Sequence, residues 1–144
     1  MITYSDSERL EFAEYRDFLV HCRLGEQYPR QRFEERVTKV LANVDICITA
    51  RDQTGLLIGI CFGITDWAYF LFLTDLGVRN GFERRGIGRE LVERCVTKAG
   101  GPEDITVSTI ANENALQFYK SVNMTNEDDL VVRYCSEFEE FVVD

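Results

Sequence analysis

The chain has 144 residues, a formal charge of -9, and a sequence that is 45% apolar and 28% charged, which suits one compact domain over residues 1–144 with a core of its own. The acidic balance argues against a nucleic-acid partner, because affinity for phosphate backbones comes from Lys and Arg; it mildly favours cationic partners and also keeps a protein soluble. The opening Met1-Ile2-Thr3-Tyr4-Ser5-Asp6 lacks the basic and apolar regions of a secretion signal, and no apolar run is long enough to span a bilayer, so a cytoplasmic protein without a membrane partner is expected.

In chain order, residues 2 to 4 read as a first strand, and Ser5-Asp6-Ser7 offers capping side chains for a helix from Glu8 to Leu24. After Gly25 and Pro29, the positions Phe33, Val37, Val40, Leu41 and Val44 recur at three- and four-residue spacing and line one face of a second helix. Strands follow at Asp45 to Arg51, Leu56 to Ile64 and Trp67 to Val78, with a turn at Asp52-Gln53-Thr54-Gly55 and a break at Thr65-Asp66. The middle runs are almost unbroken in apolar character, which calls for a sheet covered on both faces by helices. A third helix from Arg85 to Lys98 buries Ile87, Leu91, Val92, Cys95, Val96 and Ala99 and stops at Gly100-Gly101. A strand from Asp104 to Ile110, a fourth helix from Glu113 to Ser121, and two alternating, closing antiparallel strands at Leu130 to Tyr134 and Glu139 to Val143 complete the chain. The class is α/β, with α+β layering.

Five cysteines, Cys22, Cys47, Cys61, Cys95 and Cys135, lie far apart in apolar or amphipathic sequence and read as reduced core residues. With no C-x-x-C pair and one histidine, His21, neither a metal site nor a cysteine–histidine catalytic pair is expected.

The segment that carries chemistry is Leu76-Gly77-Val78-Arg79-Asn80-Gly81-Phe82-Glu83-Arg84-Arg85-Gly86-Ile87-Gly88-Arg89, a strand passing through a short basic loop into a helix. Free N–H groups at a helix start, glycines that allow close approach, and the helix dipole make a cradle for a pyrophosphate. Arg84, Arg85 and Arg89 add donors. The same glycine pair also serves a tight strand-to-helix turn, so the junction alone leaves both readings open. A P-loop would place Lys and then Ser or Thr after the glycines, whereas Gly88 is followed by Arg89 and Glu90. A dinucleotide-binding fold would place its glycines after the first strand of a βαβ unit.

These residues resemble the GNAT superfamily of N-acetyltransferases, whose acetyl-CoA loop reads (Gln or Arg)-x-x-Gly-x-(Gly or Ala) after a strand ending in Val. Val78 and Arg84-Arg85-Gly86-Ile87-Gly88 supply that portion here, and Asn112-Glu113-Asn114-Ala115-Leu116-Gln117-Phe118-Tyr119 resembles the family's second signature, Asn-x-x-Ala-x-x-Phe-Tyr. Element order is similar along essentially the whole chain. The resemblance implies a mixed sheet of about six to seven strands flanked by helices on both faces, acetyl-CoA as cosubstrate, no metal, and acetylation of an amine by direct attack in a ternary complex. Glu83 stands where the family has Gln or Arg, Asn80 where it often has Pro, and Asn123 where it usually has Gly. A carboxylate beside a pyrophosphate repels it, so Glu83 is expected to point away while Arg84 or Arg85 supplies the charge.

By the same resemblance, the backbone of Leu76, Gly77 and Val78 holds the pantetheine arm, residues 84 to 89 with Ile87 hold the pyrophosphate, and Asn112 contacts the cofactor or caps its helix. Tyr119 would protonate the departing thiolate; the residues alone favour a core aromatic on the buried face of the fourth helix. Asp75 is the first choice for general base, with water as a relay. Leu73-Thr74-Asp75-Leu76 resembles the stretch of polyamine acetyltransferases that carries a Glu-Asp pair, with Thr74 in place of the Glu. An Asp satisfied by backbone donors at a strand end is the other reading. Asp66, Trp67 and Tyr69 line the acceptor pocket or form a turn with its aromatic packing. The acceptor is expected to be an amine on a small basic metabolite, a polyamine-like molecule or a lysine side chain. A non-catalytic acyl-CoA-binding module is the alternative. Homodimerisation, common in the family, would use the last strands.

Overall fold

The computed structural model describes residues 1–22 and 28–144. Five strands, β1 (Thr3–Ser5), β2 (Ile46–Arg51), β3 (Leu57–Thr65), β4 (Phe70–Val78) and β5 (Thr106–Ser108), form one sheet in sequential order. The first four pair antiparallel, and β5 runs parallel to β4. Helices α1 (Phe12–Val20) and α2 (Phe33–Asn43) cover one face, and α3 (Ile87–Ala99) covers the other, with α4 (Glu113–Ser121) beside it. Two cores result. Tyr15, Phe18, Leu19, Val37 and Leu41 meet Leu57, Ile60 and Phe62 on one face; Ile87, Leu91, Val92 and Cys95 meet Ile46, Ile48, Leu71 and Leu73 on the other. The continuous apolar run of β3 is buried from Leu57 to Gly63, as strands covered on both faces must be.

The first helix is shorter than its periodicity predicts. Ser5 Oγ accepts the Ser7 N–H at 3.2 Å and so caps a local turn, and the Glu8 carboxylate is drawn to Thr49 and Arg51 on β2. Residues 8 to 11 therefore run along the sheet, and α1 begins at Phe12; the predicted end at Leu24, and Gly25, lie outside the described residues. The third helix begins at Ile87 because Gly86 takes a left-handed conformation, φ 78°.

Among the described residues five strands form rather than six to seven, because residues 123–144 make none. The alternation that predicts two closing strands is still visible at Phe141 to Val143: Val143 is buried in the α1–α2 core, Phe141 packs edge-on against Phe33 at 5.2 Å, and Val142 is exposed. Period-two burial requires an extended chain but no ladder partner. This segment is anchored instead by Arg30 N–H to Glu139 O at 2.9 Å and by Arg16 to the Asp144 carbonyl at 2.6 and 2.9 Å. The cysteines divide as well. Cys47, Cys61 and Cys95 are core residues as expected, whereas Cys22 is half-buried and Cys135 is exposed.

Candidate active site

Two irregularities of β4 make the site. Phe62 pairs with Asp75 but Gly63 pairs with Leu73, leaving Thr74 as an extra residue; such a bulge reverses which face the following side chains meet. Leu71 and Leu73 face α3, and so do Leu76 and Val78 beyond the bulge. Asp75 is thereby turned to the α1–α2 face, where the Tyr28 hydroxyl donates to its Oδ1 at 2.6 Å and the Thr74 hydroxyl to its Oδ2 at 2.9 Å. Tyr15, wholly buried, lies 3.0 Å from Tyr28, hydroxyl to hydroxyl. Burial and the nearby charge of Asp75 push the Tyr15 phenol well above its ordinary value, so it remains a donor to this chain of groups. Asp75 is only 4% exposed.

The second irregularity is that β5 pairs with β4 only over Phe70–Phe72. Beyond it, Thr109 donates to the Leu73 carbonyl at 2.8 Å, and a cleft of about 1040 Å³ opens between Thr74 to Val78 on one wall and Thr109 to Asn112 with α4 on the other. Arg79 N–H donates to the Ile58 carbonyl at 2.8 Å, so strand alternation turns the N–H and C=O of Leu76 and Val78 towards the cleft.

Next to the cleft, with Gly88 close to Val78, stands the α3 N-terminus, which no side chain among the described residues caps. Its first amides and the positive end of the helix dipole are therefore offered to an anion. Gly86 at φ 78° and Arg84 at φ 63° shape this turn, and a Cβ at Gly88 would come within 3.1 Å of the Phe118 ring, so the glycine lets α4 lie against α3. Arg84 lines the cleft. Arg85 instead stacks on Phe82 at 5.1 Å and Arg89 donates to the Ser121 carbonyl at 2.9 Å, while Ile87 is buried core. Arg79 is also buried, donating to Leu57 O and Asp17. Glu83 lines the cleft rather than pointing away from it, its Oε2 accepting the Gly81 N–H at 2.8 Å.

Tyr119 lines the same cleft from α4. Burial raises its phenol above the ordinary value, with Cys61 and Asp75 adding to the rise and a hydrogen bond with Thr109 opposing it. Asn112 caps α4, its Oδ1 accepting the Ala115 N–H at 2.9 Å, and also lines the cleft. A second cavity, about 650 Å³, shares Thr74 and Asp75 with the first. Asp66 and Tyr69 line neither: Asp66 accepts the N–H groups of Ala68, Tyr69 and Phe70 in the β3–β4 turn, which lowers its pKa, and Tyr69 is exposed. The turn reading holds for that segment.

The structure adds Tyr28, Tyr15 and Thr109, none of which a sequence motif marks. Tyr15 carries a faint signal, sharing the α1 stripe with Phe18 and Leu19. Among the described residues no group of three His, Cys, Asp or Glu is arranged to hold a metal ion, and no helix is long and apolar enough to cross a membrane.

The sequence profile of the acetyltransferase (GNAT) family matches residues 9–124. Among solved structures, a GNAT-family acetyltransferase of Streptococcus pneumoniae TIGR4 has a TM-score of 0.71 at 18% identity, covering 95% of this chain and 100% of that one. Glucosamine-6-phosphate N-acetyltransferase of Arabidopsis thaliana has a TM-score of 0.60 at 16% identity, covering 92% and 98%. An aminoglycoside N-acetyltransferase in complex with CoA has a TM-score of 0.68 at 13% identity, covering 94% and 95%. No curated protein sequence matches the chain. At these identities the structural likeness speaks for the fold.

Proposed function

The chain belongs to the acetyltransferase (GNAT) family, and from that premise we propose that it transfers the acetyl group of acetyl-CoA to a primary amine held beside Asp75. The observation that carries this reading is one cleft lined by Arg84 in the loop before α3, by the open edge of Leu76 to Val78, and by Asp75 and Tyr119. Its dimensions and donors suit an elongated molecule with an anionic end. The first-turn amides of α3 and Arg84 would hold the pyrophosphate, and the backbone of Leu76 and Val78 would hold the pantetheine amides as a further strand would. Acetyl-CoA supplies an activated acyl group when bound.

Within this site each side chain has a separate task. Asp75 attracts the ammonium form of the acceptor and accepts its proton directly or through water. As the amine nitrogen bonds to the acyl carbon and the carbon–sulfur bond breaks, the Tyr119 hydroxyl gives its proton to sulfur. A phenol raised by burial is protonated throughout the neutral range, as a general acid must be. Arg85 and Arg89 support the loop and α4 rather than the pyrophosphate.

Calorimetric titration with acetyl-CoA tests the binding half of this reading. Binding should weaken at least tenfold in Arg84→Glu, and a thiol-release assay with a panel of amines should then report turnover. Glu83 within the cleft favours a second reading, an acyl-CoA-binding module without turnover. Tight binding with no thiol release in the presence of any amine would select that module.

A further inference from the structure

The second cavity meets the cofactor cleft at Thr74, Asp75, Ile110 and Glu140, which line both. Its charged lining is all acidic: Asp45, Asp75 and Glu140, with no Lys, Arg or His among the described residues. An acceptor with a phosphate or carboxylate would bring its anion against these groups, and no described lining residue would neutralise it. The walls are mainly apolar, from Val40 and Val44 on the α2 side to Phe72 and Ile64 on the sheet and Phe138 on the C-terminal segment, with Tyr28, Asn43 and Tyr134 adding polar atoms. Only Asp75 of the three carboxylates is buried. Asp45 is exposed and accepts the Thr65 N–H at 3.0 Å, and Glu140 is exposed at the seam. One buried carboxylate matches one ammonium group, and the apolar walls match what that group is attached to. A polyamine's second charge would meet only the exposed Asp45 or Glu140, where solvent screens the pairing and leaves it worth little.

Resting on the acetyl-transfer reading, we propose that this cavity is the acceptor site and that its acceptor is a monoamine, a single primary ammonium on an apolar, aromatic-sized body. The cavity's roughly 650 Å³ has room for such a molecule. The ammonium sits at Asp75, where the two cavities join, and the body lies between α2, Phe72 and Phe138. This departs from the polyamine-like acceptor that Leu73-Thr74-Asp75-Leu76 alone suggests.

The test is binding of propylamine, hexylamine, 2-phenylethylamine, spermidine and glucosamine 6-phosphate to the full chain, with and without CoA, alongside thiol release from acetyl-CoA. The dissociation constant should fall about three- to fourfold per added methylene from propylamine to hexylamine, and 2-phenylethylamine should bind at least tenfold more tightly than spermidine or the phosphosugar. Phe138→Ser, at an exposed position, should weaken 2-phenylethylamine about fivefold and leave propylamine unchanged. Asp75→Asn should weaken every amine without altering CoA binding. A flat chain-length series, a preference for spermidine or the phosphosugar, or no amine binding in either form overturns the proposal. If 2-phenylethylamine binds with the expected pattern and no thiol is released, the acetyl-transfer reading fails while the ligand class stands. If thiol is released fastest with spermidine, the reverse holds.

Discussion

Tyr119 and Asn112 were legible in the sequence because the signature that marks them is local, spanning a single helix and its cap. Tyr28 was not, because its role is a contact with Asp75 across 47 residues of chain, and no spacing rule reaches that far. At this scale the protonation states give two predictions. Tyr119→Phe should lower kcat about 100-fold with little change in melting temperature, and wild-type kcat should stay level up to about pH 9, because burial moves the phenol above its ordinary value near 10. A decline below pH 9 that Tyr119→Phe abolishes would mean that the phenol is not raised, and an unchanged kcat in Tyr119→Phe would remove the general-acid role. The thiols offer a structural check. Burial pushes Cys47 up to about 12 from 9.0, so a thiol reagent at pH 8 should label exposed Cys135 first and Cys47 only on unfolding. Since the folded value exceeds the unfolded one, the stability linked to Cys47 is whole below pH 9.0 and is lost between there and about pH 12.

Among the elements, helices with a wide apolar stripe matched their predicted extents closely, and α4 did so residue for residue. Boundaries moved where a side chain found a better partner than the helix backbone, as Glu8 did on β2. The bulge at Thr74 was invisible to pattern reading, since a run apolar on both faces has no parity to break. Its weight can be measured. Deleting Thr74 would make the Phe62–Asp75 and Gly63–Leu73 pairings continuous and leave Asp75 and Leu76 on their present faces, so that only the Thr74 hydroxyl beside Asp75 is lost. Both that deletion and Thr74→Ala should therefore cost about 1 kcal/mol in urea unfolding, the loss of one hydroxyl hydrogen bond to Asp75. A loss of several kcal/mol for the deletion alone would mean that the extra residue, and not its hydroxyl, holds Asp75 in place.

For the molecule as a whole, the class and the two-sided cover of the sheet followed from the unbroken apolar runs of β3 and its neighbours. The C-terminal strands did not, because alternation reports which side chains are buried and is silent on what the backbone pairs with. What holds that segment is Val143 in the α1–α2 core, so Val143→Ala should cost roughly 1–2 kcal/mol by chemical denaturation, more than any change at exposed Val131. The short pairing of β5 with β4 carries a last consequence, one of exposure in time rather than space. Amides held in a ladder exchange with solvent deuterium only when the sheet opens, whereas those facing a water-filled gap exchange from the folded state. Leu76 and Val78 should therefore take up deuterium much faster than Gly77 between them, and saturating CoA should slow those two while Gly77 barely changes.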